Sequence, residues 1–146
     1  MDARTFIDSN SFLYATEELP VHKSGRASEW LRHLLRTGQG VANLQVMNEI
    51  ANVLLKRGNA PPEEVFSIID GYKHFGASVL SIETVAAARL LHFETGYSWW
   101  DCILLASAME LQCRYFLSED LQDNRQVRGL TIINPFRHSP PQSPVH

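Results

Sequence analysis

The apolar and polar positions of the chain follow two periods, one typical of helices and one typical of short buried strands. Apolar residues spaced at i, i+3 and i+4 predict a helix at residues 26–36, and one broad apolar face predicts another at 45–56. An Ala/Leu-rich segment predicts a helix at residues 83–95, and an S-x-x-D cap followed by apolar residues predicts one at 98–112. Gly38, Gly58 and Gly96 follow the first three segments, as glycine commonly does at a helix end. Two prolines and two acids predict another helix start at residues 61–64, and residues 12–15 have the pattern of a helical turn.

Short apolar runs between these helices predict strands. They lie at residues 5–7, 41–44, 77–80, 114–117 and 130–133. Strands that alternate with helices of 10–15 residues are typical of a parallel, doubly wound sheet, so we expect a single α/β domain with about five strands flanked by helices. In such sheets ligands bind outside the carboxyl ends of the strands, and functional residues are expected at that edge.

The composition is that of an ordinary globular chain. The 146 residues are 45% apolar and 20% charged, which predicts one domain with a sizeable core, at residues 1–137. Residues 138–146 contain three prolines and almost no apolar side chains, so we expect a disordered tail there. The net charge of −3 excludes a global basic field that would attract nucleic acid, and the richest local basic surface is at residues 22–37.

Targeting and redox signals are absent from the sequence pattern. No apolar run approaches the roughly 20 residues that span a bilayer, and no signal peptide pattern opens the sequence. If Cys102 and Cys113 share one helix, they are about 16 Å apart, which is too far for a disulfide. No Cys/His spacing is typical of a zinc site. We therefore expect a soluble protein of the reducing cytoplasm, with no membrane partner and with both cysteines in the core.

Four carboxylates lie beside predicted core elements, in the order strand end, helix rim, helix start and strand end. They are Asp8, Glu49, Asp101 and Asp120. A parallel α/β fold would bring such positions together in one cleft. Clustered carboxylates repel one another, so a shared cleft usually implies a bound divalent cation.

Each acid also has a simpler structural explanation. Asp8 is typical of a residue that caps the next helix, and Asp101 completes a capping box with Ser98. Glu49 fits an exposed helix position at the rim of the apolar face, and Asp120 fits an ordinary polar turn. The residues alone leave these alternatives open.

The acids belong to segments that together resemble a known family. Phe6-Ile7-Asp8-Ser9-Asn10 looks like the opening of PIN domains, and Val46-Met47-Asn48-Glu49 resembles their second acidic motif. The segment 98–108, SWWDCILLASA, resembles the third motif, in which W/Y-D-A-x-I-x-A-A is usual, and the segment 116–121, FLSEDL, matches the last, L-x-T/S-x-D. Asn134-Pro135-Phe136 is similar to the ending of the VapC-type toxin branch.

The resemblance extends from Thr5 to Phe136 and departs from the family pattern at three places. Ser118 replaces the commoner threonine, Cys102 stands where alanine or serine is common, and Asn124 stands where this branch often has glycine. None of these departures removes an acid.

The resemblance implies a metal-dependent endoribonuclease, the toxin of a toxin–antitoxin pair. Asp8 and Asp101 would be the main ligands of Mg²⁺ or Mn²⁺, and Glu49 and Asp120 would complete the site directly or through water. Asn10 and Ser118 are candidates for positioning the substrate, with turn stabilisation as their alternative role. The implied partners are an RNA substrate, a cognate antitoxin protein and a second copy in a homodimer. A catalytically silent module that binds RNA or protein is the alternative function.

Four other side chains and one group of apolar residues also carry expectations. Trp99 and Trp100 could stack on a base, but we interpret them as core or interface anchors. Glu119 and Asp123 are interpreted as solvated turn acids and not as ligands. We expect a domain this small to leave some apolar residues of the first half exposed for a partner; the candidates are Phe12, Leu13, Trp30, Leu34 and Leu35.

Overall fold

A computed structural model describes residues 3–18 and 20–141. The helices in this part of the chain are α1 (Ser9–Glu17), α2 (Val21–Thr37), α3 (Leu44–Arg57), α4 (Pro62–Tyr72), α5 (Ile82–Thr95) and α6 (Trp99–Glu110), with a 3₁₀ turn at Lys73–Phe75. The strands are β1 (Thr5–Ile7), β2 (Gly40–Val41), β3 (Tyr115–Leu117), β4 (Gln126–Val127) and β5 (Leu130–Ile133). None of the helices within the described ranges is long and apolar enough to cross a membrane.

The five strands form one sheet in the order β2-β1-β3-β5-β4. All neighbours are parallel except β4, which is antiparallel to β5. The predicted fold class, a mainly parallel five-stranded α/β sheet, is therefore confirmed. In the central pair, Phe6 is in register with Phe116 and Ile7 with Leu117, so β1 and β3 end side by side.

The core surrounds this central strand pair. The rings of Phe6 and Phe116 stack at 5.3 Å between centroids, and both side chains are fully buried. The residues Cys102–Ala108 of α6 are all buried, which makes α6 the central helix of the domain. Cys102 and Cys113 are buried and free, as expected, although Cys113 lies beyond the end of α6. Burial raises the pKa of Cys113 to about 12.

Two strand predictions were wrong in detail. Residues 77–80 form no strand, and only Ser78 makes an isolated bridge, to Asn43. The predicted strand at residues 41–44 ends at Val41 because Asn43 is the N-cap of α3, where its side chain accepts a hydrogen bond from the Val46 N–H. The fifth strand is instead β4. A two-residue turn, Arg128-Gly129, joins it to β5, and both turn residues have positive φ, as a tight hairpin requires.

Two helices are longer than the apolar pattern indicated. α1 is a full helix and not a single turn, and α2 begins at Val21, five residues before its predicted start. The first turn of α2 is mostly exposed, so it carries no apolar period that sequence analysis can detect.

The expected exposed apolar surface of the first half was also largely wrong. Of the five residues, Phe12, Trp30 and Leu34 are buried in the core, Leu13 is half-buried and Leu35 is strongly exposed. α1 packs against α2 and α3, which provides more burial than the single helical turn predicted from sequence.

Candidate acidic site

Asp8 is the centre of the candidate site and lies directly after β1. Its side chain is only 5% exposed. Oδ1 accepts a hydrogen bond of 2.7 Å from the Ser9 N–H, which caps α1, and Oδ2 accepts one of 3.0 Å from the hydroxyl of Ser118. Ser118 is fully buried directly after β3. The two side chains therefore meet because parallel β1 and β3 end at the same level.

The environment of Asp8 disfavours its charged form. Burial, helped by the nearby carboxylates of Glu49 and Asp101, raises its pKa from 3.8 to about 7, against the opposing hydrogen bonds from Ser9 and Ser118. A buried carboxylate among other acids is costly unless a cation or a proton neutralises it. The helix-cap role of Asp8 is thus real, but the cap alone does not account for the acids around it.

Asp120 joins the same network from the loop after β3. Its Oδ2 accepts a hydrogen bond of 3.1 Å from Asn10 Nδ2, and its backbone N–H donates one of 3.2 Å to Ser118 Oγ. Ser118 thus links the two acids through one hydroxyl. Burial, Glu119 and Asp101 raise the pKa of Asp120, while Asn10 and Lys23 lower it.

Asp101 and Glu49 approach the site from two helices. The backbone N–H of Asp101 donates to Ser98 Oγ at 3.2 Å, so the predicted cap of α6 by Ser98 is confirmed. The same hydroxyl donates to Asp101 Oδ2 at 2.9 Å, so the Asp101 side chain bonds to the hydroxyl and not to the Ser98 backbone N–H that a capping box uses. Glu49 lies half-buried on α3, and its Oε1 accepts a hydrogen bond of 3.3 Å from Gln45. Both acids are close enough to Asp8 to raise its pKa.

The four acids thus interact electrostatically, but their side chains are not arranged around one common point as metal ligands are. Among residues 3–18 and 20–141, no group of three or more His, Cys, Asp or Glu side chains is placed so that it could hold a metal ion. Asp101 and Glu49 each bond to a polar side chain three or four residues earlier. A shared metal would therefore require these two carboxylates to turn toward Asp8.

Two observations nevertheless fit a divalent metal. The donor set consists of carboxylate and amide oxygens, which are the ligands that Mg²⁺ and Mn²⁺ prefer. Asn10 Oδ1 is buried and has no hydrogen-bond partner within the described part of the chain. A hard cation could bind both this oxygen and the neighbouring carboxylates, since none of the four acids forms an ion pair within the described residues.

An ion pair beside Asp120 was not predicted from the sequence. Lys23 of α2 donates to Glu119 Oε1, and the Lys23 and Glu119 side chains are 27% and 23% exposed. Asp123 accepts a hydrogen bond of 2.8 Å from the Asn134 N–H and contacts His138 Nε2 at 2.8 Å. The interpretation of Glu119 and Asp123 as freely solvated was therefore wrong, because both hold other segments in place.

An open groove lies next to Glu49. Its volume is about 550 Å³, and its lining includes Asn48, Asn52 and Trp100. Trp100 is 63% exposed and Trp99 is 36% exposed, so neither is a core anchor, and their expected role as interface anchors stays a prediction. The residue before Asp101 in the chain thus presents an aromatic surface to solvent beside the acids.

The expected tail boundary does not coincide with the end of packed structure. The Trp30 indole N–H donates to the carbonyls of Pro135 and His138 at 3.0 and 2.9 Å. His138 therefore belongs to the packed domain, whereas residues 142–146 of the expected tail lie outside the described residues. No local pattern predicts the packing of His138, because its contacts with Trp30 and Asp123 join residues 108 and 15 positions apart.

Comparison with known proteins identifies the architecture. No family model and no curated protein matches the sequence. One similar solved structure is a toxin–antitoxin complex from Klebsiella pneumoniae, with a TM-score of 0.65, 15% identity, and coverage of 90% of this chain and 97% of that one. Another is VapBC2 from Rickettsia felis bound to a DNA fragment from their promoter, with a TM-score of 0.64, 13% identity, and coverage of 88% and 96%. The chain therefore has the fold of proteins found in toxin–antitoxin complexes, as its resemblance to VapC-type PIN domains predicted.

Proposed function

We propose that this protein is a metal-dependent endoribonuclease of the cytoplasm, the toxin of a toxin–antitoxin pair. The observation that carries the proposal is the set of coupled acids at the carboxyl ends of β1 and β3, with buried Asp8 at its centre. This is the edge of a parallel sheet where ligands bind. The family resemblance and the fold shared with toxin–antitoxin complexes support the same function.

The four acids would have different roles as metal ligands. Asp8 and Asp101 would hold Mg²⁺ or Mn²⁺, and Glu49 and Asp120 would complete the site. A divalent ion there would supply an activated water and would stabilise charge on the phosphate and on the leaving oxygen. Ser118 orients Asp8 through its hydroxyl, and Asn10 orients Asp120 through its amide N–H, so both residues pre-arrange the acids.

Single-stranded RNA is the substrate that the surroundings favour. The groove beside Glu49 combines the exposed ring of Trp100 with the carboxamides of Asn48 and Asn52. An aromatic face can stack on an unpaired base, and carboxamides can bond to base edges. A net charge of −3 gives no general attraction for a duplex backbone, so local contacts of this kind have to provide the affinity.

A protein partner is supported by an apolar stripe on α5. Ile82, Leu90 and Phe93 are 80%, 56% and 86% exposed. At 3.6 residues per turn these three positions fall within about 80° of one another on the helix. Such a stripe suits burial against an antitoxin or a second copy in a homodimer.

The catalytic proposal is tested with purified protein and an end-labelled single-stranded RNA. Cleavage should require Mg²⁺ or Mn²⁺, should stop in EDTA and should return when the metal is restored. Asp101→Asn should reduce the rate by at least about 100-fold while the protein remains folded. Folded wild-type protein that binds the RNA but never cleaves it with either metal would favour the silent binding module instead.

The partner proposal has a separate test. Expression of the protein alone should arrest growth, and co-expression with the product of an adjacent reading frame should relieve the arrest. Phe93→Asp should weaken the purified complex, or the homodimer, without changing circular dichroism. A complex of unchanged stability would place the interface elsewhere than on α5.

A further inference from the structure

Helix α1 holds two successive residues of the loop after β3. Asn10 donates its hydrogen bond to Asp120, and one helical turn later the Tyr14 hydroxyl accepts from the Lys23 ammonium, which also donates to the preceding loop residue, Glu119. Residues four apart on a helix share one face, so α1 presents both side chains to the same short loop. The Glu119 carboxylate also raises the pKa of the Tyr14 hydroxyl.

Lys23 completes this arrangement from α2. Its ammonium donates to Glu119 Oε1 and lies 3.5 Å from the Tyr14 hydroxyl. It also lies 5.1 Å from the centroid of the Tyr14 ring and 5.2 Å from that of Phe136, within the range of cation–π attraction. These two rings meet edge to face at 5.1 Å. The ammonium is thus fixed by two aromatic faces and a carboxylate, unlike a freely solvated lysine.

The loop after β3 is anchored beyond the site by Leu121, which is buried in the core. Asp120 is exposed, and its side chain and backbone N–H bond to the amide of Asn10 and to the hydroxyl of Ser118. Ser118 in turn bonds to Asp8. The pair of Lys23 and Glu119 restrains the adjacent residue toward α2, so the loop is held from two directions.

We propose that Lys23 is a positioning residue, which fixes the loop after β3 through Glu119 and thereby sets the place of the Asp120 carboxylate. This inference rests on the proposed function for its catalytic meaning, because Asp120 is a proposed metal ligand. Lys23 does not contact the acid cluster itself, and its ammonium is engaged by Glu119. Its positional effect on Asp120 therefore depends on Glu119, while its charge also lowers the pKa of Asp120.

The dependence on Glu119 gives a decisive comparison. Lys23→Met keeps the packing on the two rings but removes the charge, Glu119→Gln removes the partner charge, and Lys23→Arg retains the pair. The control is Arg128→Met, which breaks a different exposed ion pair, that of Arg128 with Glu94, in which neither Glu119 nor a proposed ligand takes part. Each variant is compared with wild type for thermal melting, Mn²⁺ affinity by calorimetry, kcat and KM, and amide hydrogen exchange at residues 118–121.

We expect Lys23→Met and Glu119→Gln each to weaken Mn²⁺ binding and to lower kcat about tenfold, as loss of a residue that orients a ligand typically does. The double variant should be no worse than either single variant, because both remove the same interaction. Amide exchange at Asp120 should accelerate in both, while Lys23→Arg and the control should match wild type. KM for RNA should change little.

Two results would overturn the inference. If Lys23→Met raises KM while Glu119→Gln leaves every measurement at the wild-type value, Lys23 contacts the RNA directly and positions nothing. If amide exchange at residues 118–121 is unchanged in both variants, the pair does not hold the loop. The exchange measurement needs neither metal nor activity, so it decides the inference even if wild-type protein proves to bind no Mn²⁺ and to cleave no RNA, a result that would refute only the proposed function.

Discussion

The hydroxyl of Ser118 donates a 3.0 Å hydrogen bond to Asp8 Oδ2, although 110 positions of chain separate the two residues. Each is the first residue after its strand, and the parallel pairing of β1 with β3 makes them neighbours. The same hydroxyl accepts the backbone N–H of Asp120. One buried oxygen thus sets the relative position of two acids of the candidate site.

Removal of this hydroxyl should damage both stability and activity. Ser118→Ala leaves Asp8 Oδ2 and the Asp120 N–H without their partner, and we expect a loss of about 1–3 kcal/mol in the free energy of unfolding. Cleavage should fall about tenfold or more. Urea unfolding and initial rates check this. Ser118→Thr retains the hydroxyl and should keep most of the activity, so an equal loss in both variants would assign the effect to packing.

The buried acid predicts a dependence of stability on pH. Between about pH 4 and pH 7 the folded protein keeps a proton on Asp8 that the unfolded chain has released, because the pKa in the folded state is about 7. The metal-free protein should therefore lose stability as the pH rises through this window and stay less stable above it. A pKa rise from 3.8 to about 7 corresponds to about 4 kcal/mol.

Asp8→Asn should remove this dependence. In EDTA, the variant should be more stable than wild type, and the difference should grow by about 3 kcal/mol between pH 5 and pH 8. Denaturant unfolding at both pH values measures it. A difference that does not vary with pH would mean that Asp8 is ionised throughout and that its burial is compensated in some other way.

The aromatic surface beside Glu49 should contribute to RNA binding. Trp100→Ala should raise KM for single-stranded RNA about 5- to 100-fold, the range expected when one stacked base is lost, with a smaller effect on kcat. Trp100→Phe should retain part of the affinity. Phe93→Ala, at a more exposed aromatic position on α5, is the matched control and should leave KM unchanged. Wild-type KM values for all three variants would show that Trp100 does not contact the RNA.

The end of the chain should divide into a dispensable and a required part. Deletion of residues 142–146 should leave melting and cleavage unchanged. Deletion from His138 onward removes one acceptor of the Trp30 indole N–H and the His138 ring that contacts Asp123. It should lower the free energy of unfolding by about 1–3 kcal/mol. Thermal melting distinguishes the two truncations. If both melt like the full chain, the contacts of His138 contribute nothing to the fold.

The acids after β3 should separate by function. Asp120→Asn should abolish most metal-dependent cleavage with little change in melting temperature. Asp123→Asn should do the reverse, because Asp123 accepts the Asn134 N–H and contacts His138, outside the acid cluster. Melting curves and cleavage at low and high Mn²⁺ check the pair. Greater metal sensitivity in Asp123→Asn would move the fourth ligand to that position.

Local pattern was sufficient for much of the fold. α3 has an apolar face, α5 is rich in Ala and Leu, and both end at a glycine, so their bounds were predicted to within one residue at each end. The position of Asp8 at a strand end and the cap of α6 by Ser98 were also local features, and both were predicted. These properties depend on residues within one or two turns of each other, which is the distance over which sequence patterns carry information.

The tertiary structure decided what those local elements meet. The sequence did not specify that β1 lies between β2 and β3, and only that order brings Ser118 to Asp8. Likewise, the pairing of Lys23 with Glu119 joins positions 96 residues apart, which no local period records. The chain by itself therefore determined which acids stand at the ends of its strands and helices, whereas the packing of distant segments determined how deeply each is buried and which partner holds it, because burial and pairing depend on the arrangement of the whole sheet and its helices.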